Sequence, residues 1–132
     1  MIGLDTNVLV RVFVEDSSAQ TEAALRLLGE LSQDDPGYVG IVVLVELAWV
    51  LKRSYGFADD AIFAALESLF ESANIEIERA DLVQEAVLAA HDIGVDIADF
   101  LIALTAAEAG ARKTMTFDRN AAKRIPGMEL LA

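Results

Sequence analysis

The chain contains no cysteine, which excludes disulfide bridges and any metal site built on thiolates. It has one histidine, His91, which leaves no histidine cluster for a zinc centre. His91 falls at the end of a predicted helix, where a cation near the C-terminal dipole explains it without a catalytic role. No apolar run reaches the ~18–20 uncharged residues that a membrane helix needs. The longest, "YVGIVVLVELAWVL", is shorter and is interrupted by Glu46. No cationic segment with a cleavage site opens the chain, so export is not expected and a cytoplasmic protein is. Basic residues are scarce too: ten Lys and Arg face 22 Asp and Glu, for a net charge of −12. That balance argues against a generic nucleic-acid surface, which needs Lys and Arg for phosphates. Its distribution is uneven, with −15 over residues 1–110 and +3 over residues 111–132. Arg112, Lys113, Arg119, Lys123 and Arg124 make a basic stretch on an acidic body.

What the chain does have is hydrocarbon. Its 132 residues are 55% hydrophobic and its mean hydropathy is +0.42. That suits one domain over residues 1–132, long enough to bury a core without staples. Residues 2–4 read as a strand. "SSAQTEAALRLLGEL" reads as a helix capped by Ser17 or Ser18, and "QDDPG" as a loop. "YVGIVV" is β-rich and runs into a helix, "LVELAWVLKRSYG", where Val43, Leu47, Val50 and Leu51 share a face and Gly56 closes the segment. "ADDAIFAALESLFESA" and "RADLVQEAVLAAH" are amphipathic helices either side of the alternating strand "NIEIE". "DIADFLIALTAAEAG" is a helix with Asp96 as N-cap and Gly110 as stop. "KTMTF", "DRNAAKRI" and "MELL" follow as strand, short helical turn and strand. Strands alternating with helices predict an α/β/α sandwich, a mainly parallel central sheet flanked by helices.

Ligands of such folds bind beyond the carboxyl ends of the strands. Asp5 leaves the first predicted strand at that end and Asp118 leaves "KTMTF" there. Two more acids come from helices. At ~100° per residue, Glu46 lies on the border of the Val43–Leu47–Val50–Leu51 face, and Asp96 and Asp99 share a helix edge one turn apart. Each has a plainer reading alone: Asp5 and Asp118 as turn residues, Asp96 as a cap, and Glu46 as one end of a salt bridge. Brought within ~5 Å at an effective dielectric of 20, each carboxylate pair costs roughly 3 kcal/mol. Such a cluster takes up protons or binds cations, and hard oxygen ligands without His or Cys select Mg²⁺ or Mn²⁺. That is the chemistry of metal-assisted phosphodiester hydrolysis by an activated water.

These segments resemble the PIN domain ribonucleases, and among them the VapC-type toxins of toxin–antitoxin pairs. "LDTNVLVR" resembles the family's first motif, with Asp5 as metal ligand and Thr6 and Asn7 as its polar companions. "VVLVELAWVL" is similar to the second, with Glu46 as the acid. "DIADFLIALTAAEAG" resembles the third, through Asp99 with Asp96 as an additional acid. "TMTFDRN" resembles the last, with Asp118 as the fourth acid and Thr116 as a nearby hydroxyl. The resemblance implies a PIN-like fold and Mg²⁺ or Mn²⁺ held by Asp5, Glu46, Asp99 and Asp118, with Asp96 extending the set. It also implies cleavage of single-stranded RNA, a homodimer and a cognate antitoxin covering the acidic groove. The acidic charge turns attention to Arg11, Arg112, Lys113 and Arg119 as RNA contacts, with Lys52 and Arg53 as further candidates.

Two other classes stand beside the nuclease. One is a catalytically silent module whose acidic groove captures a basic peptide. The other is phosphoryl transfer through an aspartyl intermediate, which wants an Asp two residues after the first; here Asn7 stands there, and no Gly-rich phosphate loop ending in Lys-Ser/Thr occurs. Phe63, Leu66 and Phe70 read as core at helical spacing. Trp49 lies off the predicted core face and is a candidate interface residue.

Overall fold

The computed structural model describes residues 1–132 apart from Ser17. Its elements run β1 (Ile2–Gly3), α1 (Thr6–Phe13), α2 (Ala19–Glu30), β2 (Gly37–Val39), α3 (Ile41–Arg53), α4 (Asp59–Glu71), β3 (Ile75–Ile77), α5 (Ala80–Ile93), α6 (Ile97–Glu108), β4 (Thr114–Thr116), α7 (Arg119–Arg124) and β5 (Met128–Leu130). The expected α/β class with parallel strands and flanking helices is the one observed. Among the described residues the strands form two sheets, one of three and one of two strands. Every pairing is parallel. Contacts divide the chain into two compact units, Met1–Asp81 and Leu82–Ala132. Among the described residues no helix is long and apolar enough to cross a membrane.

The first unit holds the three-stranded sheet in the order β1-β2-β3. Parallel neighbours cannot be joined by a tight turn. The chain therefore returns through α1 and α2 between β1 and β2, and through α3 and α4 between β2 and β3. Leu9, Val39, Leu44, Leu47 and Leu51 are fully buried in it. β2 is the central strand, and a Cβ added at its Gly37 would stand 2.7 Å from Leu4 Cδ1 and 2.9 Å from Leu31 Cδ1. Glycine there lets both leucines close over the strand.

Three expectations shift in this unit. The segment after Asp5, to which the sequence reading gives no element, is a helix, α1; Leu9 and Val10 are buried and Val8 half-buried. The β-rich reading of "YVGIVV" extends too far, because β2 stops at Val39 and Ile41 already begins α3. Gly40, the N-cap of α3, has no side chain to cap with. Glu78 Oε1 instead accepts a hydrogen bond from Ile41 N at 2.8 Å. That bond, made by a residue just past β3, satisfies a backbone donor that would be orphaned at the helix start. The buried face of α3 is also turned, to Leu44, Leu47, Ala48 and Leu51, with Val43 and Val50 only half-buried.

The remaining helices of this unit follow the sequence reading closely. Ser18 caps α2, accepting from Thr21 N at 3.1 Å; Ser17, the other expected cap, lies outside the described residues. Gly56 takes a left-handed φ of 67° after α3, as a helix stop should. In α4 Leu66 is core, while Phe63 and Phe70 are half-buried beside Ile62, Ala65 and Leu69.

The second unit holds α5 beyond its first turn, then α6, β4, α7 and β5. Its β4–β5 pair is joined through α7. Val83, Ala86, Val87, Ala90, Phe100, Leu101 and Ala103 are buried. Gly110, with φ of 98°, ends α6 where expected.

The turned face of α3 is directly testable. Leu44→Ala is expected to cost about 2–5 kcal/mol of unfolding free energy, and Val42→Ala, at a 78% exposed position, no more than about 0.5 kcal/mol. Urea unfolding of both variants checks this, and equal losses would contradict the assigned face.

Candidate active site

Two acids stand where a parallel strand hands the chain to a helix. Asp5 is the N-cap residue of α1, with φ −80° and ψ 157°. Asp118 is the N-cap of α7. Asp is favoured at N-caps because its carboxylate accepts from the first backbone amides, a contribution of about 1 kcal/mol. Asp118 behaves this way: its Oδ1 accepts from Ala121 N at 3.0 Å. Thr116 Oγ1 accepts from Asp118 N at 3.0 Å and fixes the turn that presents the acid. Asp5 does not: it is exposed, and its side chain makes no capping bond. Next to it, Thr6 is buried and its Oγ1 has no hydrogen-bond partner in the protein. The backbone of Asp5 has the geometry of a cap while its carboxylate is not engaged as one.

The second unit gathers three of the five expected acids into one electrostatic neighbourhood. Asp96 caps α6, accepting from Ala98 N at 3.1 Å. Asp99 lies in the first turn of α6, where a helix dipole alone would favour its charged form. Its carboxyl is nevertheless raised above the ordinary aspartate value, first by burial and then by the charges of Asp96 and Asp118. Asp99 is half-buried while Asp96 and Asp118 are exposed.

Glu46 is placed differently from the sequence reading. With the core face of α3 centred on Leu44, Leu47, Ala48 and Leu51, Glu46 lies about 150° away from it rather than on its border. It is exposed, on the same side as the exposed Val42 and Trp49. A solvated carboxylate carries little desolvation cost, so burial gives no argument for Glu46 as a ligand. Trp49, 57% exposed, is not core.

The expected RNA contacts divide into engaged and open side chains. Arg11 is engaged: Nη1 stands 2.6 Å from Asp16 Oδ2 and Nη2 donates to Tyr55 Oη at 3.2 Å. Asp16 also accepts from Thr21 Oγ1 and Ser18 N, and these hydrogen bonds with Arg11 hold its carboxyl below the ordinary value. Lys113 pairs with Glu129 at 3.0 Å and Lys52 with Asp59 at 3.1 Å. Arg112 and Arg119 are exposed. Asn7, also exposed, lines a groove of about 480 Å³ between α1 and α2 with Val8, Arg11, Gln20 and Leu27. His91 sits in the last turn of α5, as expected. Sequence reasoning missed Glu78, whose partner Ile41 is 37 residues away, with the glycine cap Gly40 as the one available hint; it also missed the Asp16 network, whose partners Arg11, Ser18 and Thr21 lie within five residues.

Among the described residues no three carboxylate or imidazole groups are gathered closely enough to hold a metal ion. The chemistry of the donors nonetheless fits a hard divalent cation. They are all oxygens, and Asp99 is destabilised as an anion by two neighbouring carboxylates, a penalty that a cation relieves.

Parallel strands that hand the chain to helices at acidic residues, in each of the two units, are an α/β arrangement whose donors are all carboxylate oxygens. The PIN domain profile matches residues 2–127, nearly the whole chain. This protein belongs to the PIN domain family, a family of nucleases whose members generally use divalent metals. A comparison with curated proteins finds no significant match.

The raised carboxyl of Asp99 sets a sign for stability. The folded chain holds that proton more tightly than the unfolded chain, so Asp99 loses the fold stability as pH rises above 3.8, its ordinary value. Asp99→Asn is therefore expected to stabilise most at pH 7, with the gain shrinking toward pH 3.8. Denaturant unfolding across that range checks it, and a pH-independent gain would refute the assigned cause.

Proposed function

We propose that this PIN domain is a metal-dependent endoribonuclease, the VapC-type toxin of a toxin–antitoxin pair. The observation that carries the reading is the placement of Asp99, half-buried in the first turn of α6 beside the Asp96 cap, with its carboxyl raised by burial and then by the charges of Asp96 and Asp118. In this reading Asp5, Glu46, Asp99 and Asp118 hold Mg²⁺ or Mn²⁺, and Asp96 extends the set while capping α6. When bound, the ion supplies an activated water and offsets the charge that builds on the phosphate.

The chain's own residues do the rest. Asp118 keeps one oxygen on the Ala121 amide, which fixes the carboxylate and leaves the second oxygen outside that bond. Thr116 orients Asp118 through its backbone amide. Thr6 offers a buried hydroxyl with no protein partner, and Asn7 an exposed amide for a phosphate oxygen. Arg112 and Arg119 approach the RNA backbone. Arg11 joins only by giving up its 2.6 Å pair with Asp16. A cognate antitoxin and a second copy of the chain are the protein partners of this reading, and exposed Val42 and Trp49 on α3 offer an apolar stripe for one of them.

A catalytically silent module that captures a basic peptide is the second reading. It is favoured by the net charge of −12 and by the ion pairs already engaging Arg11, Lys52 and Lys113.

The two separate on Asp5→Asn. This change removes no capping bond, so stability should move by less than about 0.5 kcal/mol. RNA cleavage should fall about 100-fold or more, and growth arrest on expression should disappear. EDTA should abolish cleavage by the unaltered protein, and Mg²⁺ or Mn²⁺ should restore it. Undiminished cleavage by Asp5→Asn would sink the nuclease assignment, while no cleavage of any cellular RNA with either ion would favour the peptide-binding module. Sequencing RNA ends after induced expression names the cut site.

A further inference from the structure

The most exposed aromatic side chain of the protein sits immediately before a proposed metal ligand. Phe117 is 76% exposed, in the bend between β4 and Asp118. Met115, two residues earlier, and Leu131, just past β5, are exposed as well. Water-facing phenyl rings are ordinary on mobile loops, but this segment is fixed on both sides. Thr116 O accepts from Leu131 N at 2.8 Å, Thr116 Oγ1 accepts from Asp118 N at 3.0 Å, and Asp118 Oδ1 accepts from Ala121 N at 3.0 Å. The backbone that carries the exposed ring is thus braced, which lowers the backbone entropy lost on binding a flat partner.

We propose that Phe117 is a stacking platform for an unpaired base of the substrate, positioning the nucleotide beside the phosphate that is cut. The proposal rests on the nuclease reading given above and adds a residue that sets how single-stranded RNA is held. Unpaired bases stack on aromatic faces with little regard to sequence. Consecutive Cα atoms lie only 3.8 Å apart, so a base on Phe117 brings its own phosphates to the neighbourhood of Asp118. Charge at this place suits RNA. Residues 111–132 carry +3 on a chain of −12, and exposed Arg112 and Arg119, on either side of Phe117 in the sequence, offer cations to a phosphate backbone.

The test measures binding of a fluorescein-labelled, mixed-sequence single-stranded RNA by anisotropy with Mg²⁺, in an Asp5→Asn background. Phe117→Ala and Phe117→Leu should weaken binding about tenfold, and Phe117→Tyr should stay within about twofold of the parent. An abasic version of the same oligomer should bind the parent and Phe117→Ala equally. Melting curves of the three variants should coincide with the parent, since the ring is exposed. In the cleavage-competent protein Phe117→Leu should raise KM more than it lowers kcat. Affinity kept by Phe117→Leu would overturn stacking, because leucine preserves hydrophobic contact and removes only the π face. Loss of antitoxin binding in Phe117→Ala with RNA affinity unchanged would overturn it too, and mark a protein surface. RNA that binds through Phe117 without being cut by the unaltered protein would sink the nuclease reading and leave stacking in place. Cleavage that ignores Phe117 would do the reverse, and a parent that neither binds nor cuts RNA would overturn both.

Discussion

Parallel strands impose one demand on this chain that its other features answer: every strand must exit into a connection long enough to return to the same end. Here the exits lead into helices, so a residue at the strand's carboxyl end becomes a residue at a helix start. Asp is among the best residues for that position, and Asp5 and Asp118 occupy equivalent junctions, β1 to α1 and β4 to α7, though only Asp118 caps its helix. The same junction suits ligand binding, since strand carboxyl ends and helix amino ends open at one edge of a parallel sheet. Structural convenience and chemical usefulness therefore select the same residue types, and composition alone does not tell them apart.

Hydrogen bonding does tell them apart. Asp96 and Asp118 both serve their helices with one oxygen. Asp5 leaves its helix unserved, beside a buried threonine hydroxyl that is unserved in turn. Asp99 has no capping task and is held half-buried against two like charges. An arrangement that stores repulsion at a helix start lowers stability, and a divalent ion is the simplest agent that turns this cost into binding. Glu46, on α3 in the first unit, stands in solvent.

Much of this was legible in the sequence because the informative signals are local. Ser18, Asp96 and Asp118 announced helix starts, Gly56 and Gly110 announced stops, and alternation announced the short strands. The failures came where tertiary contacts outweigh local preference. Ile41, Val42 and Val43 are good strand formers, yet they open α3 because Gly40 breaks the strand and Glu78 completes the helix start. The face of α3 was misjudged by about one residue, since Val and Leu weigh alike in a periodicity count while packing chose Leu44 and Ala48. That small rotation carries Glu46 from the rim to the far side. Arg11 illustrates the same limit: its charge is visible in the sequence, but its engagement with Asp16 and Tyr55 is not. The positions of Asp5 and Asp118 at strand ends were legible in the sequence because both close a short apolar run.

The borrowed cap of α3 has a consequence for how the first unit assembles. A helix that caps itself can form its first turn early, from contacts a few residues apart. Here the capping oxygen belongs to Glu78, 37 residues further along the chain, beyond the whole of α4 and the strand β3. The start of α3 thus reaches its final stability only after β3 has paired with β2. Helix start and sheet edge are thereby coupled, and the turn at Gly40 is kept from fraying only while β3 stays paired with β2.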